Sequence, residues 1–275
     1  MQVEGAPAYP AALKRVFERN RWWLGVTIIQ AFDRTCDIYP DKLAVIEGEQ
    51  RFTFSQLREK TKLAARAFHA LGIAEGDSVL FQIPNWAEAV YIYLGLQRVG
   101  AVPIMCLPRH GQREVEGFCA LTRAKAWIGP ASFGKIDYML MVGGVKEKSP
   151  SLQHTIVVRD EAPPGTVSFS KIMEDSRIMA TAGRSYRTPT DPNRVLHLGP
   201  TGGTTGLPKL VPKTHNNHLT KSHYIARGME WGPKEVSIAF SPLNHDAVHL
   251  LNTSVMALMG TTIVLCPTTK MDDIL

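Results

Sequence analysis

The sequence predicts an α/β fold of mostly parallel sheets flanked by helices, on three observations. Short apolar runs alternate with amphipathic stretches from Leu43 onward. The amphipathic stretches open on capping patterns and close on glycine. At 275 residues and 44% apolar composition, the chain is long enough to bury a large core.

The elements follow in order. Arg21, Trp22, Trp23 and Leu24 end a charged amphipathic lead-in, and the tryptophans are expected to dock it on the main body. Thr27 to Tyr39 predicts a helix with Ile28, Phe32 and Cys36 on one face, stopped by Pro40. Leu43 to Ile46, a turn over Glu47, Gly48, Glu49 and Gln50, and a return over Arg51 to Thr53 predict a hairpin. Thr53 and Gln56 have capping-box spacing at the head of a helix that carries Leu57, Ala64, Phe68 and Leu71 and ends at Gly72. Val79 to Ile83 is a strand. Asn85 and Glu88 are placed to cap the next helix, which runs to Val99 with Gly100 beyond it. Ala101 to Cys106 is a strand, Gln112 to Thr122 a helix, and Lys125 to Ile128 and Thr155 to Val158 are strands. Residues 160–192, rich in proline, glycine and polar residues, predict a connection, and a new strand starts at Val195. The expected organisation is a lead-in segment over 1–50 packed on the main body, a first α/β subdomain over 51–190, and the start of a second over 191–275.

Composition excludes several classes of function. The net charge of +6, from 31 basic and 25 acidic residues, is scattered. No basic stripe with interleaved aromatics is present, so no nucleic-acid partner is expected. Cys36, Cys106, Cys119 and Cys266 form no CxxC pair and predict buried thiols, with no metal site. The N-terminus has no apolar core of signal-peptide length, and the most apolar run, Val255 to Cys266, is too short to span a bilayer. A cytoplasmic protein with no membrane partner is the expectation.

The chemistry is concentrated in Thr-Gly-Gly-Thr-Thr-Gly-Leu-Pro-Lys, Thr201 to Lys209. Glycines let backbone N–H groups approach a phosphate closely, hydroxyls add donors, and lysine adds a cation. The pattern is not a Walker A loop, since Leu207 and Pro208 separate Gly206 from Lys209 and Leu210 follows the lysine. Lys209 to Pro212 reads as extended and a helix starts only near Asn216, so a loop between two strands, not a helix N-terminus, is expected to hold the phosphates.

Thr201 to His215 resembles the phosphate-binding signature of the adenylate-forming superfamily, which includes acyl- and aryl-CoA synthetases, peptide-synthetase adenylation domains and luciferases. Leu210 to Asn216, Arg21 to Gly25, Phe52 to Leu57 and Pro84 to Glu88 are most similar to the stand-alone aryl-acid ligases, such as the 2,3-dihydroxybenzoate–AMP ligases of siderophore pathways. The resemblance implies the N-terminal part of the adenylate-forming fold with its second subdomain incomplete. It implies ATP, with Mg²⁺, as cosubstrate, a carboxylic acid as substrate, and CoA or an aryl-carrier protein as thiol partner. Thr201, Gly202, Gly203, Thr204, Thr205 and Gly206 would wrap the β- and γ-phosphates, and Lys209 would steady the loop or the phosphates. His245, after a later strand, would line the acid pocket and border the carboxylate, with Asp246 beside it.

The sequence departs from the family pattern in three places. Asp246 stands where the aryl-acid enzymes usually have asparagine, which points to an acid other than plain 2,3-dihydroxybenzoate. Lys213 replaces a common arginine. Superfamily members continue for about as long again beyond Leu275, through an adenine-binding loop, hinge and small C-terminal domain, so the 275-residue chain by itself is expected to be at most a weak ATP binder with open apolar strand edges. Alternatives that stay open are an acyl-CoA synthetase of another acid, a non-catalytic remnant or binding module, and an unrelated nucleotide-binding protein.

Overall fold

The structure, a computed structural model, describes residues 9–175, 186–202, 206 and 208–267. Helix α1 (Ala11–Arg19) leads in, and Tyr9, Phe17, Trp22 and Trp23 form an aromatic cluster around it. Leu24 and Gly25 then dock, their N–H groups donating to Thr220 Oγ1 and Asn216 Oδ1.

Helix α2 (Ile28–Ile38) and the hairpin β1 (Leu43–Glu47) and β2 (Gln50–Thr53) lie close to their expected positions. Helix α3 (Phe54–Ala70) opens on the expected capping box: Thr53 Oγ1 accepts from Gln56 N, and Gln56 Oε1 accepts from Thr53 N. Strand β3 (Ser78–Phe81) precedes helix α4 (Ala87–Val99), which ends at Gly100 with φ +77°. A side chain at Gly100 would also meet Pro189 Cγ at 2.7 Å, so space and conformation both require glycine there.

Strand β4 (Val102–Met105), helix α5 (Gln112–Thr122) and strand β5 (Ala126–Gly129) continue the alternation. A small ribbon, β6 (Ser132–Phe133) and β7 (Ile136–Asp137), then leads into helix α6 (Tyr138–Lys148), which the sequence reading does not anticipate. Gly143 and Gly144 weaken its helical signal. The second glycine is required by packing: a Cβ there would stand 2.4 Å from Gln112 Nε2 of α5. Strand β8 (His154–Val157) follows. The stretch expected to be only a connection contains strand β9 (Val167–Ser168) and helix α7 (Phe169–Glu174).

Strands β10 (Val195–Pro200) and β11 (Leu210–Thr214) form an antiparallel hairpin, followed by helix α8 (His215–Gly228) and strand β12 (Val236–Ala239). Helix α9 (Asp246–His249) passes through a π-helical turn (Leu250–Ser254) into α10 (Val255–Met259), and β13 (Thr262–Leu265) closes the described chain.

The strands assemble out of chain order. One sheet runs β11-β10-β4-β3-β5-β8-β9, and all its pairs are parallel except β10–β11. A second sheet runs β12-β13-β1-β2, so the early hairpin pairs with the last strand, Val45 opposite Ile263. Strand β12 is an edge of that sheet, and its Val236 and Ile238 are more than half exposed. Helix α4 lies in the core and is buried at all but one of its residues. It packs on α3 so closely that a Cβ on Gly95 would lie 2.6 Å from Ala64 Cβ. In a parallel sheet of this kind the segments leaving the C-terminal strand ends meet along one edge. The segment after β4 and the loop after β10 do so here, because β4 and β10 are neighbours with Ile104 opposite Leu198.

Candidate functional site

The glycine-rich segment lies at the tip of the β10–β11 hairpin. Pro200 and Leu210 are the last paired residues. Two further bonds carry the closure outward: Thr201 N donates to Lys209 O at 2.8 Å, and Lys209 N donates to Thr201 Oγ1 at 3.0 Å. Thr201 and Lys209 are therefore the two feet of the loop. Gly203, Thr204 and Thr205 lie outside the described residues. Thr201, Gly202, Gly206 and Lys209 are all exposed. Helix α8 begins only after β11, so the loop joins two strands and does not lead directly into a helix.

His245 faces the same space. It lines a cleft of about 260 Å³ together with Thr201, Gly202, Gly206, Pro208 and Arg109. Lys209 is not on that wall. His245 is the N-cap residue of α9, and its preceding loop is pinned by side chains from the other sheet. Asn244 Nδ2 donates to Phe81 O and Cys106 O at 2.9 and 2.7 Å. Asn85, expected to cap α4, instead donates to Ala239 O and Ser241 O, both at 2.8 Å, and accepts from Leu243 N. Tertiary partners outbid the local cap. Glu88 likewise turns away to Arg159, which also pairs with Glu47 and stacks over Trp86.

Asp246 is turned away from that cleft, into a space between β10, β11 and α8. His197 and Lys213 face each other across the hairpin register, so their side chains share one face. His197 Nε2 lies 3.4 Å from Asp246 Oδ1, and Lys213 Nζ lies 3.5 Å from Oδ2. Helix α8 adds His218 Nδ1 at 3.6 Å from Oδ1 and Lys221 Nζ at 3.9 Å from Oδ2. Burial opposes ionisation of Asp246, but the His197 hydrogen bond, His218 and the Lys213 charge outweigh it and hold its carboxyl well below the usual range.

The bonding pattern assigns the protons. An ionised carboxylate only accepts, so His197 Nε2 carries the hydrogen, and its Nδ1 accepts from the Tyr93 hydroxyl at 2.9 Å. His218 Nε2 and His249 Nδ1 are 3.3 Å apart, and Ser254 Oγ lies 3.5 Å from the same Nδ1 across the π turn. Burial lowers the pKa of His197, His218 and His249 and raises that of Tyr93, so the network is neutral apart from Asp246. His249 Nε2 is buried with no partner among the described residues. Local sequence reading singled out Asp246 and Lys213 but not Tyr93, His197 or His218 around them. A histidine within a strand or helix carries no motif.

His197, His218 and Asp246 also bring three donor atoms within 4.8 Å of one another, a set a divalent ion accepts. Two ammonium groups already neutralise this carboxylate, and a dication would stand against both. The cluster therefore reads as a hydrogen-bond and ion-pair network around one carboxylate.

Comparison with known proteins agrees with the loop. A family model described as AMP-binding enzyme matches residues 32–275. The salicyl-AMP ligase / salicyl-S-ArCP synthetase of Mycobacterium tuberculosis is 33% identical over 221 residues, covering 78% of this chain and 38% of that protein. The 2,3-dihydroxybenzoate-AMP ligase of Bacillus subtilis is 28% identical over 276 residues, covering 98% of this chain and 49% of that protein. The chain thus spans less than half the length of these relatives. Among solved structures, the apo structure of Mycobacterium smegmatis MbtA superposes with a TM-score of 0.85 at 26% identity, over 97% of this chain and 48% of that one. On the family match, the fold and the loop, the chain belongs to the AMP-binding enzyme family, within the adenylate-forming superfamily.

Proposed function

We propose that this protein takes part in ATP-dependent activation of a carboxylic acid, an aryl acid, as its acyl-adenylate. A carboxylate oxygen attacks the α-phosphorus of MgATP, the bond to the β-phosphate breaks, and pyrophosphate leaves. A thiol of CoA or of an aryl-carrier protein then displaces AMP. The observation that carries this reading is the hairpin loop Thr201–Lys209 opening onto the cleft that His245 also lines.

The roles rest on the chemistry of these residue types and on the family pattern. Thr201, Gly202, Gly203, Thr204, Thr205 and Gly206 offer N–H and hydroxyl donors to the β- and γ-phosphates, and Lys209 supplies a cation at the foot of the loop. Positioning and charge neutralisation of the leaving pyrophosphate are the catalytic terms such a site supplies. His245 borders the reacting carboxylate. Asp246 faces the adjoining space between β10, β11 and α8, beside His197 and Lys213, and there it would accept from a ring hydroxyl or an amine of an acid that extends into that space.

The test is ATP–pyrophosphate exchange with a panel of hydroxy- and aminobenzoates and aliphatic acids. Acid-dependent exchange that prefers aryl acids with an ortho donor supports the reading. Nucleotide binding without exchange for any acid would assign the chain a binding role instead.

A further inference from the structure

One cation lines the same cleft as the described residues of the glycine-rich loop. Arg109 lines that cleft with Thr201, Gly202, Gly206 and His245. It makes no ion pair or hydrogen bond among the described residues, and it is the only Lys or Arg among the described residues of that wall.

Its backbone is fixed. His110 N donates to Leu107 O at 2.9 Å, and Leu107 N donates to His110 Nδ1 at 3.0 Å, closing a tight turn around Arg109. Gln82 Nε2, fully buried, donates to both Leu107 O and His110 O, at 3.0 and 2.9 Å. Tyr138 Oη donates to Pro108 O at 2.7 Å, and Asn244 Nδ2 reaches Cys106 O just before the turn. Leu107 and His110 are buried, and Arg109 is the exposed side chain of the turn. Glu114, the carboxylate on the same wall, is engaged elsewhere: its Oε2 accepts from Gly111 N at 3.1 Å. Much of the ordering cost of placing a guanidinium here is therefore met by the fold before any ligand arrives. The location has a topological cause, since β4 and β10 are adjacent parallel strands and their following segments leave the sheet along one edge.

We infer that Arg109 is a further phosphate-binding residue of this site, contacting the pyrophosphate portion of ATP in the cleft that Thr201, Gly202 and Gly206 also line. This rests on the adenylation reading. A planar guanidinium offers a bidentate contact to two phosphate oxygens, which a lysine ammonium cannot reproduce. It gains strength as the leaving pyrophosphate acquires charge.

The experiment is titration calorimetry of inorganic pyrophosphate and of MgATP on wild type, Arg109→Ala and Arg109→Lys, with melting temperatures and exchange kinetics alongside. The expected result is about tenfold weaker pyrophosphate binding for Arg109→Ala, the scale of one charge-assisted contact, with partial recovery in Arg109→Lys. The KM for MgATP should rise, the KM for the acid should stay within about twofold, and the melting temperature should not move. Pyrophosphate binding by Arg109→Ala within about twofold of wild type would overturn the inference while leaving adenylation intact. Weakened pyrophosphate binding with no acid-dependent exchange in any protein would keep Arg109 and sink the adenylation reading. A wild type that binds neither pyrophosphate nor MgATP would overturn both.

Discussion

Acidification should unfold this protein steeply, and the histidines are the reason. His197, His215, His218 and His249 are between 0 and 3% exposed. Burial is the leading cause that lowers the pKa of each, His215 down to about 3. Each is neutral in the folded protein and titrates near pH 6.5 once unfolded. Below that value the unfolded chain binds more protons than the folded one, so stability falls as pH falls. A group whose folded pKa is lowered costs about 1.36 kcal/mol for each pH unit below its unfolded value, down to the folded one. Several such groups weigh against a typical domain's whole stability of about 5–15 kcal/mol. Asp246 adds no slope in this window. Its lowered carboxyl contributes stability that is fully present above its unfolded value and is lost only in stronger acid. Urea unfolding followed by tryptophan fluorescence, repeated between about pH 7.5 and pH 5.0, measures the proton uptake directly as the slope of stability against pH. The expectation is a net proton uptake on unfolding that grows below about pH 6.5 and is smaller by about one proton in His249→Phe, which keeps a ring against Tyr93. An uptake below about one proton would mean that these histidines are not neutral and buried, and the assigned network would fall with it.

Three further outcomes follow from the same structure. Lys209→Ala should reduce ATP–pyrophosphate exchange about tenfold or more without lowering the melting temperature, because the side chain is exposed and acts at the foot of the loop. Asp246→Asn should change the order of acid preference in the exchange assay; equal profiles for both proteins would remove Asp246 from the specificity argument. Gly95→Ala should destabilise by about 1–3 kcal/mol in urea unfolding despite alanine's higher helix propensity, since its Cβ would stand 2.6 Å from Ala64 Cβ and 3.3 Å from backbone atoms of Ala65 and Thr61.

Local chemistry was legible in the sequence. The Thr53–Gln56 capping box, the Gly100 stop and the hairpin that holds Thr201–Lys209 all depend on residues a few positions apart, and each formed where its pattern stood. The α/β class was legible for the same reason, because periodicity is set by which neighbours along the chain share a face. What the sequence could not determine was anything carried by long-range contacts. Asn85 has the spacing of a cap, yet it binds backbone more than 150 residues away, because the fold brings carbonyls and the Leu243 N–H within reach of both ends of its amide. The early hairpin β1–β2 joins a sheet completed by β13, and nothing in Leu43–Thr53 records that partner. Tyr93, His197, His218 and His249 lie on four different elements, and only the stacking of α4, β10, α8 and α9 brings them around Asp246. Burial, which no single side chain specifies, is what makes those histidines neutral. The sequence by itself determined the loop that can hold phosphates; the tertiary structure decided the electrostatic state of the pocket beside it.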